Sequence, residues 1–235
     1  MAFTIAMSNE KGGVAKTTST LSLGAALAEM DHRVLLIDLD PQSSLSLGLG
    51  LETGEVEFNS ASVLIENAEQ FLPMRSHYMA TLRTALQAAP LPYEYVLLDC
   101  PPALGAITLN ALSAADLLII PTQAEYFSAY ALRNMMGTIR RVRQESNPNL
   151  AYRILVTLLD RRNRTHRNIF EQLQATFGQG VFTTVIEIDT KLRESPIAGI
   201  PITQYKPTSR GSQQYRVLAQ ELIEYAKEEA NRQAA

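Results

Sequence analysis

A glycine-containing segment between an apolar run and an Ala/Leu-rich stretch constrains the fold of this chain more than any other feature. Residues 7–18 read Met-Ser-Asn-Glu-Lys-Gly-Gly-Val-Ala-Lys-Thr-Thr, and the short apolar run Phe3–Met7 leads into them. This order predicts a buried strand, a glycine turn and the start of a helix. The backbone N–H groups of such a turn converge on anionic oxygens, and the helix N-terminus adds the positive end of its dipole. The segment therefore predicts a phosphate-binding loop.

This loop differs from the usual phosphate-loop pattern. The pattern G-x-x-x-x-G-K-[ST] requires glycine at the positions that Glu10 and Ala15 occupy here. The chain reads K-G-G-x-x-K-[ST]-[ST], so a second lysine, Lys11, precedes Lys16. We expect Lys16 to reach the β- and γ-phosphates of a nucleotide and the Thr17 hydroxyl to bind Mg²⁺. Ala15 is harmless if its φ angle is negative and disrupts the loop if φ is positive.

Composition and charge exclude several classes of protein. A chain of 235 residues with 46% apolar residues can bury one full α/β core, and we expect a single domain over residues 1–235. Cys100 is the only cysteine, which excludes intrachain disulfides and an iron–sulfur cluster held within one chain. Residues 1–60 carry three Lys/Arg and eight Asp/Glu, whereas residues 161–216 carry nine and four. The C-terminal half can therefore hold a local basic surface.

No sequence signal for export or membrane insertion is visible. No basic region precedes Phe3–Met7, and no apolar run approaches the length that spans a bilayer. We therefore expect a cytoplasmic protein.

Apolar runs alternate with helical patterns along the chain, which predicts an α/β fold: a mostly parallel twisted sheet with helices on both faces. The predicted strands are residues 3–7, 33–38, 95–99, 116–121, 152–159 and 181–188. The predicted helices are residues 16–30, 78–89, 109–115, 128–143, a segment after 167 that ends at 177, and 212–231, with a short helical pattern at 60–66 and a loop at 197–210.

Acidic residues end two of the predicted strands. Asp38 and Asp40 lie at the end of the second strand, and Asp99 ends the third, before Cys100 and two prolines. The carboxyl ends of parallel strands are where α/β folds place their chemistry. Asp99 suits the role of a Walker B acid, which holds Mg²⁺ directly or through water. Together with the loop, these acids predict a site for phosphoryl transfer.

Four motifs make the resemblance to a family specific. They occupy residues 11–18, 38–42, 98–102 and 199–215, and in that order they resemble the ParA/Soj branch of the deviant Walker A ATPases. The match runs over nearly the whole chain. The resemblance implies a P-loop ATPase that uses ATP and Mg²⁺. It also implies that the nucleotide is bound by the loop residues Lys11, Gly12, Gly13, Val14, Ala15, Lys16, Thr17 and Thr18.

The resemblance also implies a role for each catalytic residue. Lys16 binds phosphates within its own subunit, whereas Lys11 is the signature lysine that reaches the nucleotide of a partner in an ATP-sandwich homodimer. Asp38 matches the residue that orients or activates the attacking water. The magnesium residues implied in this way are Thr17, Asp38, Asp40 and Asp99. Between Asp40 and Asp99 the chain is shorter than in typical relatives, which usually have a further strand there.

The resemblance implies ATP-dependent, nonspecific DNA binding on the nucleoid and release when a cargo-bound ParB-like or adaptor protein stimulates hydrolysis. Lys191, Arg193 and Arg210 resemble the positions that touch the DNA backbone. The run from Arg161 to Arg167 is richer in charge, but such runs are usually solvated faces, and its role stays open. The cargo also stays open: a plasmid, a chromosome origin or a protein assembly such as a carboxysome.

Two alternative functions use the same phosphate loop. A MinD-like membrane ATPase resembles a chain that ends in an amphipathic helix with a basic polar face, whereas residues 220–231 are rich in acids that anionic lipid repels. A metabolic enzyme resembling dethiobiotin synthetase needs neither Lys11 nor a basic C-terminal half. Both alternatives are therefore less favoured than the DNA-binding ATPase.

Overall fold

The computed structural model describes residues 2–51, 72–74, 77–88, 92–126 and 128–234, so the pattern predicted at residues 60–66 lies outside the described residues. Five parallel strands form one sheet in the order β2-β3-β1-β4-β5. The three central strands are buried and mostly apolar, as expected for a sheet that is covered on both faces, whereas the edge strand that ends at Asp38 is half-buried throughout. The five strands are β1 (Phe3–Met7), β2 (Val34–Asp38), β3 (Tyr95–Asp99), β4 (Leu117–Gln123) and β5 (Ala151–Thr157).

Helices cover both faces of this sheet, which confirms the predicted fold class. They are α1 (Lys16–Glu29), α2 (Ser44–Gly48), α3 (Thr81–Gln87), α4 (Ala106–Ala114), α5 (Ser128–Glu145), α6 (Arg164–Phe177), α7 (Lys191–Ile197), α8 (Ile202–Tyr205) and α9 (Arg210–Ala234). Successive strand residues point to opposite faces. Ile5 packs in the cluster that contains α1 and α9, whereas Ala6 packs in the cluster that contains α4 and α5. Short 3₁₀ turns lie at Leu72–Met74, Tyr78–Ala80 and Gly178–Gly180.

The strand order brings the predicted site together. β1 lies in the middle of the sheet, with β3 on one side and β4 on the other, so the loop after β1 begins where the strand order reverses. The register pairs Met7 with Asp99 and Asp99 with Asp38. The loop and both acidic strand ends therefore lie at the same edge of the sheet.

The predicted sixth strand, residues 181–188, is wrong. This segment makes only isolated bridges to β5 and the residues after it, at Val181 and Glu187. Between these bridges, the N–H groups of Thr183 and Thr184 donate to the carboxylate of Glu221 on α9, at 2.7 and 2.9 Å. Because these N–H groups donate to a helix side chain, they cannot form the hydrogen bonds of a regular strand with β5.

Helix boundaries differ from the prediction where polar side chains cap the backbone. α6 begins at Arg164 because the Asn163 side chain accepts hydrogen bonds from the next turn, so part of the predicted basic loop is helical. The predicted loop at 197–210 contains α8, and α7 precedes it. α4 begins three residues before the predicted start, at Ala106. The helix predicted from residue 78 begins as a 3₁₀ turn before α3.

Candidate functional site

The segment between β1 and α1 forms a closed loop with two residues in the left-handed region. Gly13 has a φ of 73° and Ala15 a φ of 65°. Side chains from the neighbouring strands hold this shape: Gln123 donates to the carbonyl of Gly13 at 3.1 Å, and Thr157 donates to the carbonyl of Val14 at 3.0 Å. Ala15 thus has the positive φ that we expected to disrupt the loop, yet these strand contacts hold the loop closed.

The N-terminus of α1 offers unpaired donors to an anion. Within the described part of the chain, no acceptor binds the N–H groups of Ala15, Lys16 or Thr17. Converging N–H groups at a helix N-terminus bind phosphate. They face a cavity of about 380 Å³. Its lining residues are Gly12, Gly13, Ala15, Lys16, Thr17, Thr18, Leu21, Asp40, Ser44, Gly48, Pro102 and Pro196.

Lys16 supplies the cation of this cavity. Its Nζ donates to the carbonyl of Lys11 at 3.3 Å, so the side chain folds back across its own loop. Burial lowers the pKa of the Lys16 ammonium, while the carboxylates of Asp99 and Asp40 oppose this effect. A bound phosphate would compensate the buried ammonium, because an opposite charge nearby favours the charged form.

Asp99 lies fully buried beside two threonine hydroxyls. Thr17 donates to one of its carboxylate oxygens at 2.7 Å and Thr20 to the other at 3.1 Å. Burial raises the pKa of Asp99 to about 7, with a contribution from Asp38, and the two threonine hydrogen bonds oppose this rise. A divalent cation favours the ionised carboxylate, and hydroxyl and carboxylate oxygens suit magnesium. The residues present therefore fit Mg²⁺.

Asp38 binds the backbone of the segment that follows it. Its Oδ2 accepts hydrogen bonds from the N–H groups of Leu45 and Ser46, both at 3.1 Å, and its Oδ1 accepts one from the N–H of Asp40. Asp38 thereby fixes the first turn of α2. Asp40 lines the cavity and accepts a hydrogen bond from the N–H of Gln42 at 3.0 Å.

The four predicted magnesium residues thus differ in placement. Thr17 and Asp99 are in contact, Asp40 lines the same cavity, and Asp38 is the register partner of Asp99 while its carboxylate binds α2. Across the described ranges, no group of three or more His, Cys, Asp or Glu side chains is arranged to hold a metal. A magnesium ion here would need oxygens from phosphate and water as well.

The side chain of Lys11 extends away from the cavity of its own subunit. Its Nζ lies 2.6 Å from Glu125 Oε2 and 3.1 Å from Gln123 Oε1, and its side chain is 28% exposed. Sequence reasoning missed Gln123, Glu125 and Thr20. No local pattern identifies the first two, because they end or follow β4, a strand that becomes a neighbour of β1 only in the folded sheet. Thr20 has the helical spacing that places it one turn after Lys16, on the same face of α1.

The three predicted DNA-contacting residues lie on two helices that begin close together. Asp189 accepts hydrogen bonds from the N–H of Lys191 in α7 and from the N–H of Gly211 in α9, both at 2.9 Å. Lys191 pairs with Glu194 at 2.6 Å. Arg193 is exposed and forms no ion pair with any described residue. Arg210, the first residue of α9, pairs with Glu187, with 2.8 Å between Arg210 Nη1 and Glu187 Oε2.

The site consists of a strand, an anion-binding turn and a helix N-terminus, which lie beside a buried threonine–aspartate pair. This arrangement defines the class of the protein as a P-loop nucleotide-binding protein. The match to a family model, described as the CobQ/CobB/MinD/ParA nucleotide binding domain, spans residues 5–202. The chain belongs to this family, whose members are P-loop ATPases. The predicted ATPase class is thereby confirmed.

Individual relatives cover almost the whole chain. The sporulation initiation inhibitor protein Soj of Bacillus subtilis is 36% identical over 93% of this chain and 97% of its own length. The chromosome partitioning protein ParA of Caulobacter vibrioides is 38% identical, with 93% of each chain covered. These matches confirm the ParA/Soj resemblance and place the chain in a family of partitioning ATPases.

One solved structure has the same fold as this chain and contains a bound nucleotide and magnesium. It is a cobyrinic acid a,c-diamide synthase of Mycobacterium smegmatis with bound ADP and magnesium, 31% identical, with a TM-score of 0.83 over 97% of this chain and 96% of that one. The bound ADP and magnesium of this relative agree with the predicted cofactors, ATP and Mg²⁺.

Proposed function

We propose that the chain forms an ATP-sandwich homodimer, binds DNA nonspecifically as that dimer, and leaves DNA when a cargo-bound partner stimulates ATP hydrolysis. The names of two relatives, one a chromosome partitioning protein, support a role in segregation or positioning. The partner is a ParB-like or adaptor protein. The cargo is a plasmid, a chromosome origin or a protein assembly such as a carboxysome, and the protein acts in the cytoplasm on the nucleoid.

The observation that supports this proposal most is that the side chains of the two loop lysines lie in different places. Lys16 folds over its own cavity, whereas Lys11 is absent from the cavity lining and pairs with Glu125 at the surface. Ion pairs at a surface contribute only about 0–1 kcal/mol. Lys11 can therefore exchange Glu125 for the phosphates of a partner's nucleotide at little cost.

We assign roles within one subunit as follows. Lys16 and the loop N–H groups would hold the phosphates, with Thr18 at the α-phosphate, while Thr17 and Asp99 would hold the magnesium ion. The ion neutralises charge on the phosphates when it is bound. Asp38 orients the attacking water, and its hydrogen bonds to α2 fix the direction of its carboxylate at the strand end.

DNA binding is assigned to Lys191, Arg193 and Arg210. Their helices begin side by side, and dimerisation would place two such groups on one particle, which strengthens contacts to a phosphate backbone. In the described part of the chain no helix is both long and apolar enough to cross a bilayer. The acids of α9 also disfavour binding to anionic lipid.

A second candidate function is favoured by the likeness to the cobyrinic acid a,c-diamide synthase. An enzyme of that kind, like one resembling dethiobiotin synthetase, acts on a small molecule beside its own nucleotide. Such a reaction has no need of Lys11, since Lys11 does not line the cavity. Dependence of the ATP-bound dimer on Lys11 therefore separates the two candidates.

Lys11→Ala tests the proposal. We expect the variant to bind a fluorescent ATP analogue as the unchanged chain does, because Lys16 and the loop N–H groups remain. Its ATP-dependent dimer fraction, measured by sedimentation velocity with Mg²⁺, should be lost. Lys227→Ala, at an exposed lysine of α9, is the matched control and should leave the dimer intact. An unchanged dimer fraction in Lys11→Ala would contradict the sandwich model.

A further inference from the structure

One carboxylate holds two arginines that lie far apart in the sequence. Glu187 Oε1 accepts a hydrogen bond from Arg161 Nε at 2.7 Å, and Glu187 Oε2 accepts one from Arg210 Nη1 at 2.8 Å. The Glu187 side chain is 14% exposed, whereas those of Arg161 and Arg210 are 60% and 56% exposed. The acid is therefore enclosed and the two guanidinium groups face water.

The backbone fixes Glu187 between the two arginines. Glu187 forms a β-bridge with Leu159, which lies two residues after the end of β5. The Glu187 N–H also donates a hydrogen bond to the side chain of Gln214 in α9, at 2.9 Å. Arg161 follows this bridge, and Arg210 begins α9. The side chain of Arg167 reaches the carbonyl of Arg161 at 2.5 Å. The basic run whose role the sequence left open thus adjoins the first turn of α9.

We propose that Arg161 belongs to the same phosphate-binding surface as Arg193 and Arg210, and that Glu187 competes with DNA phosphate for Arg161 and Arg210. This inference rests on the proposed DNA binding. It adds a residue to the surface and assigns an internal competitor to it.

The chemistry supports competition. Carboxylate and phosphate oxygens both accept charge-assisted hydrogen bonds from guanidinium, so an N–H group that donates to Glu187 is not available to a phosphate. Because Arg161 and Arg210 are more than half exposed, their pairs with Glu187 are weak and a phosphate can displace them. Glu187 therefore weakens DNA binding without preventing it.

Glu187→Gln removes the competing charge and keeps the shape of the side chain and the backbone hydrogen bond to Gln214. We expect the variant to bind DNA about threefold to tenfold more tightly at low salt, because the competing charge is gone and the amide offers one neutral acceptor in place of two charged oxygens. The slope of log affinity against log salt should also steepen, by about one for each additional phosphate that the protein neutralises.

The experiment uses the full chain with a nonhydrolysable ATP analogue and Mg²⁺, and measures fluorescence anisotropy of a labelled duplex of random sequence. The control is Glu229→Gln, which changes the net charge equally but affects the pair with Arg232 near the end of α9. A general charge effect would tighten both variants, whereas competition tightens Glu187→Gln alone. Arg193→Ala with Arg210→Ala, on the unchanged chain, should weaken binding uniformly across sequences.

A double variant tests whether Arg161 itself touches DNA. If it does, Arg161→Ala combined with Glu187→Gln should lose most of the increase in affinity that Glu187→Gln gives alone. Equal affinities of the double variant and Glu187→Gln would remove Arg161 from the surface. Circular dichroism checks the fold, and Glu187→Ala replaces Glu187→Gln if that variant does not fold.

The outcomes separate this inference from the proposed function. If the unchanged chain fails to bind DNA with the ATP analogue, the proposed function is wrong. If the unchanged chain binds and Glu187→Gln binds no more tightly than Glu229→Gln, the proposed function stands and the competition is wrong.

Discussion

Ala15 shows how a single residue is held in a strained conformation at the site. Its φ of 65° lies in the left-handed region, which costs a residue with a Cβ atom roughly 1–2 kcal/mol. The contacts of Gln123 and Thr157 with the preceding carbonyls fix the loop regardless. Strain of this kind is maintained where the surrounding structure determines the backbone, and it is common at ligand-binding sites.

We predict that Ala15→Gly stabilises the nucleotide-free chain. Glycine removes the strain but adds freedom to the unfolded chain, so the free energy of unfolding should rise by about 0.5–1 kcal/mol. Urea titration measures it. Ala198→Gly is the control, because Ala198 has a φ of −79° and is not relieved of any strain by glycine. Equal losses in both variants would contradict the assignment of strain to Ala15.

Individual residues could be predicted from the sequence only where a local motif identifies them. The loop pattern predicted that Lys16 and Thr17 would share a site with Asp99, and the structure brings these three together. The pairing of Lys11 with Glu125 depends on a contact across 114 positions of the chain, which no local pattern contains. Helical spacing places Thr20 one turn after Lys16, but its contact with Asp99 spans 79 positions and is subject to the same limit.

At the scale of elements, buried parallel strands were the easiest to predict. Each contains a run of apolar residues, and the five observed strands match their predictions to within two residues at each end. The sixth failed because Glu221 of α9 takes backbone donors of Thr183 and Thr184, a contact that strand patterns do not reveal. α7 was missed because it is short, contains Pro196 and is stabilised by Asp189.

A contact between two glycines joins α2 to α7. A Cβ atom on Gly199, just after α7, would lie 2.8 Å from Gly50 Cα and 3.1 Å from Gly50 N, just after α2. Asp38 fixes the other end of α2, and Arg193 lies on α7. The helix whose first turn binds Asp38, the proposed water-orienting residue, therefore packs backbone against backbone on the helix that carries Arg193, a proposed DNA contact.

Gly199→Ala should destabilise the protein more than a positive φ alone explains. Gly13 is the matched control, because its φ is 73° and nothing lies within 4 Å of a Cβ atom there, whereas Gly199 has a φ of 66° and meets backbone. In the nucleotide-free protein we expect Gly13→Ala to cost about 1–2 kcal/mol and Gly199→Ala about 1–3 kcal/mol more. Urea titration of both compares them directly. Equal losses would show that α2 and α7 are not tightly joined.

At the scale of the whole molecule, charge is separated along the chain. The sequence indicated that the C-terminal half can hold a local basic surface, and the structure shows that part of this charge is neutralised, because Glu187 pairs with Arg161 and Arg210. On the proposed DNA-binding surface, one subunit thus offers few cations that are not already paired within the protein. Two subunits joined by ATP would offer twice as many, which links DNA binding to the nucleotide state.

In the proposed dimer, Lys11 acts on the nucleotide of the partner subunit. Asp38→Ala should bind ATP and dimerise but turn over slowly, whereas Lys11→Ala should not dimerise with itself. In a mixture, the Lys11→Ala subunit keeps its own Lys16 and Asp38 and receives Lys11 from the Asp38→Ala subunit. One complete site then forms in each mixed dimer.

The steady-state ATPase rate of this mixture is the most direct test. We predict a rate above the mean of the two variants measured separately at the same total concentration. A rate equal to that mean would contradict the sandwich model.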